Sequence, residues 1–276
     1  MCSPRIVRAA HEAADNPRLS RRAWLGAASA GALAAVSAIG SVQAAPNISG
    51  RVVDLTHVLT PELPVWPGNP PFISVPVAWH DHGGFGQNAL AFWEHTGTHI
   101  DAPLHRMRDA AAVDRIPADD LVAPLVVVDI ESKASTDPDA VLTISDIEEW
   151  ESRHGRLPDR AFIAMHSGWE HRLATPGAFL NLDAEGRPHA PGFDTAAAEF
   201  LVTERSIVGA GVDTLSLDPG ASREFGAHTA FLGAGRYGVE MLANLARVPV
   251  SGATVVIGAP KHAGGTGGPC RVLALT

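Results

Sequence analysis

Three histidines and one aspartate fall within the eleven residues His95-Thr96-Gly97-Thr98-His99-Ile100-Asp101-Ala102-Pro103-Leu104-His105. Imidazole and carboxylate together suit zinc, manganese or ferrous iron, so the stretch reads as a hydrolytic metal site. A histidine left over beside such an ion can carry protons at neutral pH. The apolar, β-branched run before the stretch argues for extended backbone. In a strand, His95, Gly97, His99 and Asp101 would share one face, because side chains alternate. His99 and Asp101 would then lie about 6.6 Å apart and could share an ion, whereas His95 would lie about 13 Å from His99. His95 therefore needs a bend or a second ion. Gly97 offers the bend, since glycine accepts backbone angles closed to other residues. Pro103 stops a helix from running through and sets the approach to His105.

A catalytic ion needs further ligands and an open position. His228 and Glu240 are the best distant candidates. Glu240 lies in the apolar run Tyr237-Gly238-Val239-Glu240-Met241-Leu242, where a buried carboxylate would need a partner. His228 lies in a loop-like Gly226-Ala227-His228-Thr229 setting.

The elements that must position these residues are legible in outline. Strand-like runs occur at Val52–Leu59, Phe72–Trp79, Leu90–Glu94, Leu125–Ile130, Phe162–His166, Ile207–Val212, Thr254–Gly258 and Arg271–Leu275. Helices are expected from Ser145, with a capping box to Glu148, to about His154; over Thr195–Glu204; and over Tyr237–Leu245. Pro61–Pro71 reads as an ordered loop carrying Trp66, and Gly264–Gly268 as a flexible surface loop. Mixed strands and few helices without strict alternation predict an α/β domain with a mixed, barrel-like sheet.

Residues 1–44 read as an address. Ser20-Arg21-Arg22-Ala23-Trp24-Leu25 resembles a twin-arginine export signal. It is followed by an apolar stretch from Ala27 to Ile39 and a small-residue exit, Val42-Gln43-Ala44. The expectation is an exported, periplasmic or secreted protein, cleaved after Ala44, with residues 45–276 forming one domain. An uncleaved N-terminal anchor is the alternative, although the apolar stretch is short for a membrane span of about 20 residues. The whole chain of 276 residues carries a net charge of −9. The segment holds more Arg than Asp and Glu, so its removal makes the remainder more acidic. That charge argues against nucleic acid or an anionic membrane as partner. Cys2 would leave with the segment, so Cys270 would be the sole thiol, best read as a small buried hydrophobe.

The eleven-residue stretch resembles the hallmark of the metal-dependent cyclase-like hydrolases, the group that includes bacterial kynurenine formamidase and isatin hydrolase. Val65-Trp66-Pro67-Gly68 is similar to that family's substrate-loop motif, and His166-Ser167-Gly168-Trp169 to its central turn. Gly211-Val212-Asp213-Thr214-Leu215-Ser216-Leu217-Asp218-Pro219 and the His228/Glu240 pair resemble its later motifs. The resemblance implies a swivelling β/β/α domain, usually dimeric or larger. It implies metal ligands at His95, His99, Asp101, His228 and Glu240, with Asp101 bridging where two ions are bound. It implies proton transfer by His105 and a place for Trp66 beside the substrate ring. The cofactor implied is one or two divalent ions, zinc or manganese.

The activity expected is metal-dependent hydrolysis of an aryl formamide of the N-formylkynurenine kind, with ring opening of an isatin-type cyclic amide as the alternative. A metal-binding module without catalysis is a reading from another class. A serine hydrolase using Ser167 or Ser216 is disfavoured, because neither sits in Gly-x-Ser-x-Gly.

Overall fold

The computed structural model describes residues 50–276, which form one compact unit. The export-type segment of residues 1–44 lies outside the described residues. Among the described residues, no helix is long and apolar enough to cross a membrane.

The strands are β1 (Val52–Asp54), β2 (Ile73–Ala78), β3 (Gln87–Ala91), β4 (His99–Asp101), β5 (Val122–Asp129), β6 (Val141–Leu142), β7 (Phe162–His166), β8 (Gly192–Phe193), β9 (Gly209–Val212), β10 (Tyr237–Glu240), β11 (Ala253–Gly258), β12 (Gly267–Pro269) and β13 (Arg271–Leu275). Nine of them form one mixed sheet in the order β1-β13-β11-β5-β7-β9-β10-β4-β12. The stretch β5-β7-β9-β10 is parallel and its flanks are antiparallel. The sheet curls into a half-barrel, so the α/β class with a mixed sheet and few helices holds. The helices are α1 (Glu131–Ala134), α2 (Ile144–His154), α3 (Thr195–Glu204) and α4 (Gly226–Gly233).

Strand alternation divides the interior into two cores. On one face, Leu125 and Val127 of β5 and Phe162 and Ala164 of β7 join Val53, Tyr237, Val255 and Val272. On the other, Val126, Val128, Ile163 and Met165 meet Ile147 and Trp150 of α2, Leu201 of α3 and Phe231 of α4. Each fully buried aliphatic or aromatic side chain contributes about 1.5–3 kcal/mol by leaving water. The central strands are apolar on both faces, as parallel strands covered on both sides must be.

Four expectations need correction. Tyr237–Leu245 is not a helix: its first four residues are β10, parallel to β9 and antiparallel to β4. A strand buried on both faces is a continuous apolar run, which periodicity cannot tell from a buried helix. His228 lies on α4 rather than in a loop. The capping box of α2 joins Thr143 to Asp146, not Ser145 to Glu148. The Asp146 carboxylate accepts from the Thr143 backbone N–H at 2.7 Å, and the same pattern simply recurs two residues downstream in sequence. Gly264–Gly268 is not wholly a surface loop, because Gly267–Pro269 is β12, paired with β4. At Gly267 a Cβ would sit 2.3 Å from the Ile100 carbonyl oxygen, so only glycine lets this strand lie against β4.

Candidate metal centre

Strand β4 places His99 and Asp101 on one face, and β10 lays Glu240 directly opposite His99. His99, Asp101 and Glu240 are all buried. The third element is α4, which projects His228 into the same space. The atoms converge closely. His99 Nε2 lies 3.3 Å from Asp101 Oδ1 and 3.3 Å from Glu240 Oε2. His228 Nε2 lies 3.4 Å from Asp101 Oδ2 and 3.2 Å from Glu240 Oε1. Donor atoms that each stand about 2.0–2.2 Å from a shared ion are spaced in this way.

Gly97 makes the bend expected of it, with φ +64°. The chain turns back there, and His95 Nδ1 comes within 2.6 Å of Asp101 Oδ1. Its other nitrogen, Nε2, is 3.0 Å from Thr266 Oγ1, a contact that fixes the ring. Pro103 opens a single 3-10 turn, Pro103–His105, that delivers His105. The His105 ring packs on that of His95 at 3.8 Å between centroids and stands 5.9 Å from that of His228. Two overlapping triads result, His99/Asp101/Glu240 and His95/Asp101/His105, with Asp101 common to both.

The donors fit a cation. His99 Nε2 and Asp101 Oδ2 are buried without any hydrogen-bond partner, a costly state that a metal ion would relieve. The site also asks for positive charge. Burial opposes a charged His99, yet the Asp101 and Glu240 carboxylates 3.3 Å away outweigh it and raise the pKa to about 10. His228 is raised in the same way by Asp101, Asp218 and Glu240. Asp101 goes the other way: burial would raise it, but the His228, His95 and His99 imidazoles gathered around it hold it well below the usual carboxylate range. Protons on the two imidazoles thus balance carboxylate charge that a divalent ion could balance instead. His105 differs. Desolvation lowers its pKa, so it stays neutral and able to accept a proton at physiological pH.

Above these groups lies a pocket of about 420 Å³ walled by Trp66, Trp93, Leu215 and Phe225, with Asn69 and Arg106 at its polar side. Trp66 and Phe225 face each other at 6.3 Å, and the Arg106 guanidinium stands 5.7 Å from the Phe225 ring. Every residue expected from sequence, namely Trp66, His95, His99, Asp101, His105, His228 and Glu240, is therefore in one place.

Asp218 was missed as a functional residue. Its Oδ2 lies 2.6 Å from His228 Nδ1, and its carboxylate accepts from the backbone N–H groups of Ala227 and His228. Ten residues and a turn separate the pair, so local spacing carries no sign of the contact. Trp93, Arg106 and Phe225 were also missed as pocket residues. The serine alternative loses its footing. Ser167 Oγ donates to Asp213 at 2.5 Å and Ser216 Oγ accepts from Asp218 N–H, and among the described residues no imidazole is hydrogen-bonded to either hydroxyl.

Residues 53–219 match the family described as "Putative cyclase". The isatin hydrolase of Roseibium aggregatum is 34% identical over 242 residues, covering 82% of this chain and 91% of that protein. The kynurenine formamidase of Salinibacter ruber is 29% identical over 228 residues, covering 80% and 96%. The solved structure of isatin hydrolase A from Labrenzia aggregata bound to benzyl benzoate superposes with a TM-score of 0.77 at 38% identity, covering 81% and 93%. The match to that family over more than half of the chain, together with relatives that are hydrolases along nearly their full length, establishes that the chain belongs to the cyclase family of hydrolases.

Proposed function

We propose that this chain is a metal-dependent amidohydrolase that opens the ring of a cyclic aryl amide of the isatin kind. The observation that carries the proposal is the convergence of His99, Asp101, His228 and Glu240 on one point beneath a pocket walled by Trp66, Trp93 and Phe225. Aromatic walls suit a flat aryl substrate, and the greater similarity to isatin hydrolase than to kynurenine formamidase favours the cyclic amide.

His95, His99, Asp101, His228 and Glu240 would hold one or two divalent ions. Zinc and manganese both accept this donor set. A bound ion would supply water of lowered pKa and polarise the amide carbonyl. The protein residues do the rest. Trp66 and Phe225 hold the aryl ring. His105, neutral and poised at the pocket edge, accepts a proton from water as the water oxygen bonds to the carbonyl carbon. When the C–N bond breaks, His105 returns the proton to nitrogen. The product is an arylamine and a carboxylate in one molecule, the remaining acid proton passing to solvent, with Arg106 placed to meet the new anion.

Hydrolysis of an aryl formamide is the second reading, supported by the formamidase relative. It uses the same residues and releases formate instead. Assay of the metal-loaded protein on isatin and on N-formylkynurenine separates the two, and turnover of neither would overturn both. We also propose export through residues 1–44. Recovery of protein beginning at Ala45 from outside the cytoplasm tests it, and an uncleaved cytoplasmic chain would overturn it.

A further inference from the structure

Away from the candidate centre, a third group of donors meets in the fold. Asp129, Glu131 and His166 each bring a ligand atom within 4.8 Å of those of the other two. Asp129 and His166 are register partners that end the parallel strands β5 and β7. The carboxyl ends of such strands are where open α/β sheets meet their ligands. Glu131 follows as the first residue of α1. A Cβ added at Gly168 would stand 2.8 Å from Glu131 Oε1 and 2.9 Å from its Cγ, so the glutamate lies against bare backbone of the turn after β7. None of the three lines the pocket above the candidate centre, and β9 separates β7 from β10.

Two acids at a surface are commonplace, but the imidazole beside them is not. His166 is only 4% exposed. Its Nε2 is buried without a hydrogen-bond partner, and its Nδ1 faces Asp129 Oδ1 at 3.4 Å, too far for a good hydrogen bond. A buried polar ring left in this state calls for an explanation. The charges are unmatched as well. Among the described residues neither carboxylate is paired with a lysine or arginine, and Lys133, the nearest in sequence, is held by Asp146 at 2.7 Å. Two carboxylates and one imidazole without a cation between them repel unless one is supplied.

We propose that Asp129, Glu131 and His166 form a second metal site, separate from the candidate centre, that takes a divalent transition ion of the zinc kind. One nitrogen and two carboxylate oxygens suit such an ion, whereas calcium and magnesium take shells of oxygen alone. Ligand atoms about 2.0–2.2 Å from one ion stand roughly 3.4–4.4 Å apart, so a small turn of the carboxylates closes the site. Asp129 is 55% exposed, which leaves solvent to complete the shell on its side. The ion would tie β5, β7 and α1 together at one end of the sheet. It would thereby steady the turn whose Ser167 and Trp169 N–H groups donate to Asp213.

Equilibrium dialysis of the chelator-treated protein against micromolar zinc, followed by elemental analysis, tests this. Asp129→Asn/Glu131→Gln should bind one ion per chain fewer than the unaltered protein. Glu148→Gln, which removes an exposed acid elsewhere, should bind as many as the unaltered protein. The difference is independent of how many ions the candidate centre holds and of whether the chain hydrolyses an amide. Circular dichroism checks that the double variant folds. Crystals of the unaltered protein soaked in zinc give a second measurement that needs no variant: an anomalous peak should lie within bonding distance of His166 Nδ1. An equal zinc count in the folded double variant, or no peak at His166, would overturn the proposal.

Discussion

Asp218 Oδ2 lies 2.6 Å from His228 Nδ1, while His228 Nε2 faces Asp101 and Glu240. The carboxylate thus fixes the ring so that Nε2 points into the centre. It also accepts from Ala227 and His228 N–H in the first turn of α4, where an anion is favoured by the helix dipole. Asp218→Ala should lower metal affinity by about 10–100-fold, the usual effect of removing a carboxylate behind a ligating histidine. Metal titration of the chelator-treated protein measures it. An unchanged affinity would show that His228 does not ligate through Nε2.

His105 is read as the group that moves protons and not as a ligand. His105→Ala should lower kcat by about 10²–10⁴-fold while metal content and folding persist. Because desolvation lowers its pKa, the neutral base should survive below the ordinary imidazole value of 6.5. Activity should hold down to that pH and fall only on further acidification. Loss of metal in His105→Ala would instead place His105 in the triad with His95 and Asp101.

Asp213 is buried and accepts from the Ser167 backbone N–H, the Ser167 hydroxyl and the Trp169 backbone N–H. It holds the turn after β7 rather than any substrate. Asp213→Ala leaves these donors unpaired and should cost about 2–3 kcal/mol of stability in urea titration. A loss below about 0.5 kcal/mol would show that the turn stands without it.

Much of this was legible in sequence. Phe162–His166 and Arg271–Leu275 are strands with the bounds expected. The His95–His105 stretch revealed its candidate ligands because they are local. Legibility failed where tertiary packing decides. Nothing in Tyr237–Glu240 distinguishes a buried strand from a buried helix, and β12 exists only because Gly267 fits against Ile100. Asp218 is recognisable only once α4 is folded beside it.

The thiol of Cys270 is buried beside the centre, and burial pushes its pKa up to about 12. It should resist alkylation by iodoacetamide at pH 8 in the native protein and react on denaturation. Mass spectrometry of the labelled chain reads this, and rapid native labelling of Cys270 would show that the strands β4, β12 and β13 open around it.

The most direct test of the account is the hydrolysis of isatin by protein stripped with a chelator and then reloaded with manganese or zinc. Ring opening should vanish on stripping, return on loading, and fail to return in Glu240→Ala. Ring opening that survives exhaustive removal of metal, or full activity in Glu240→Ala, would contradict it.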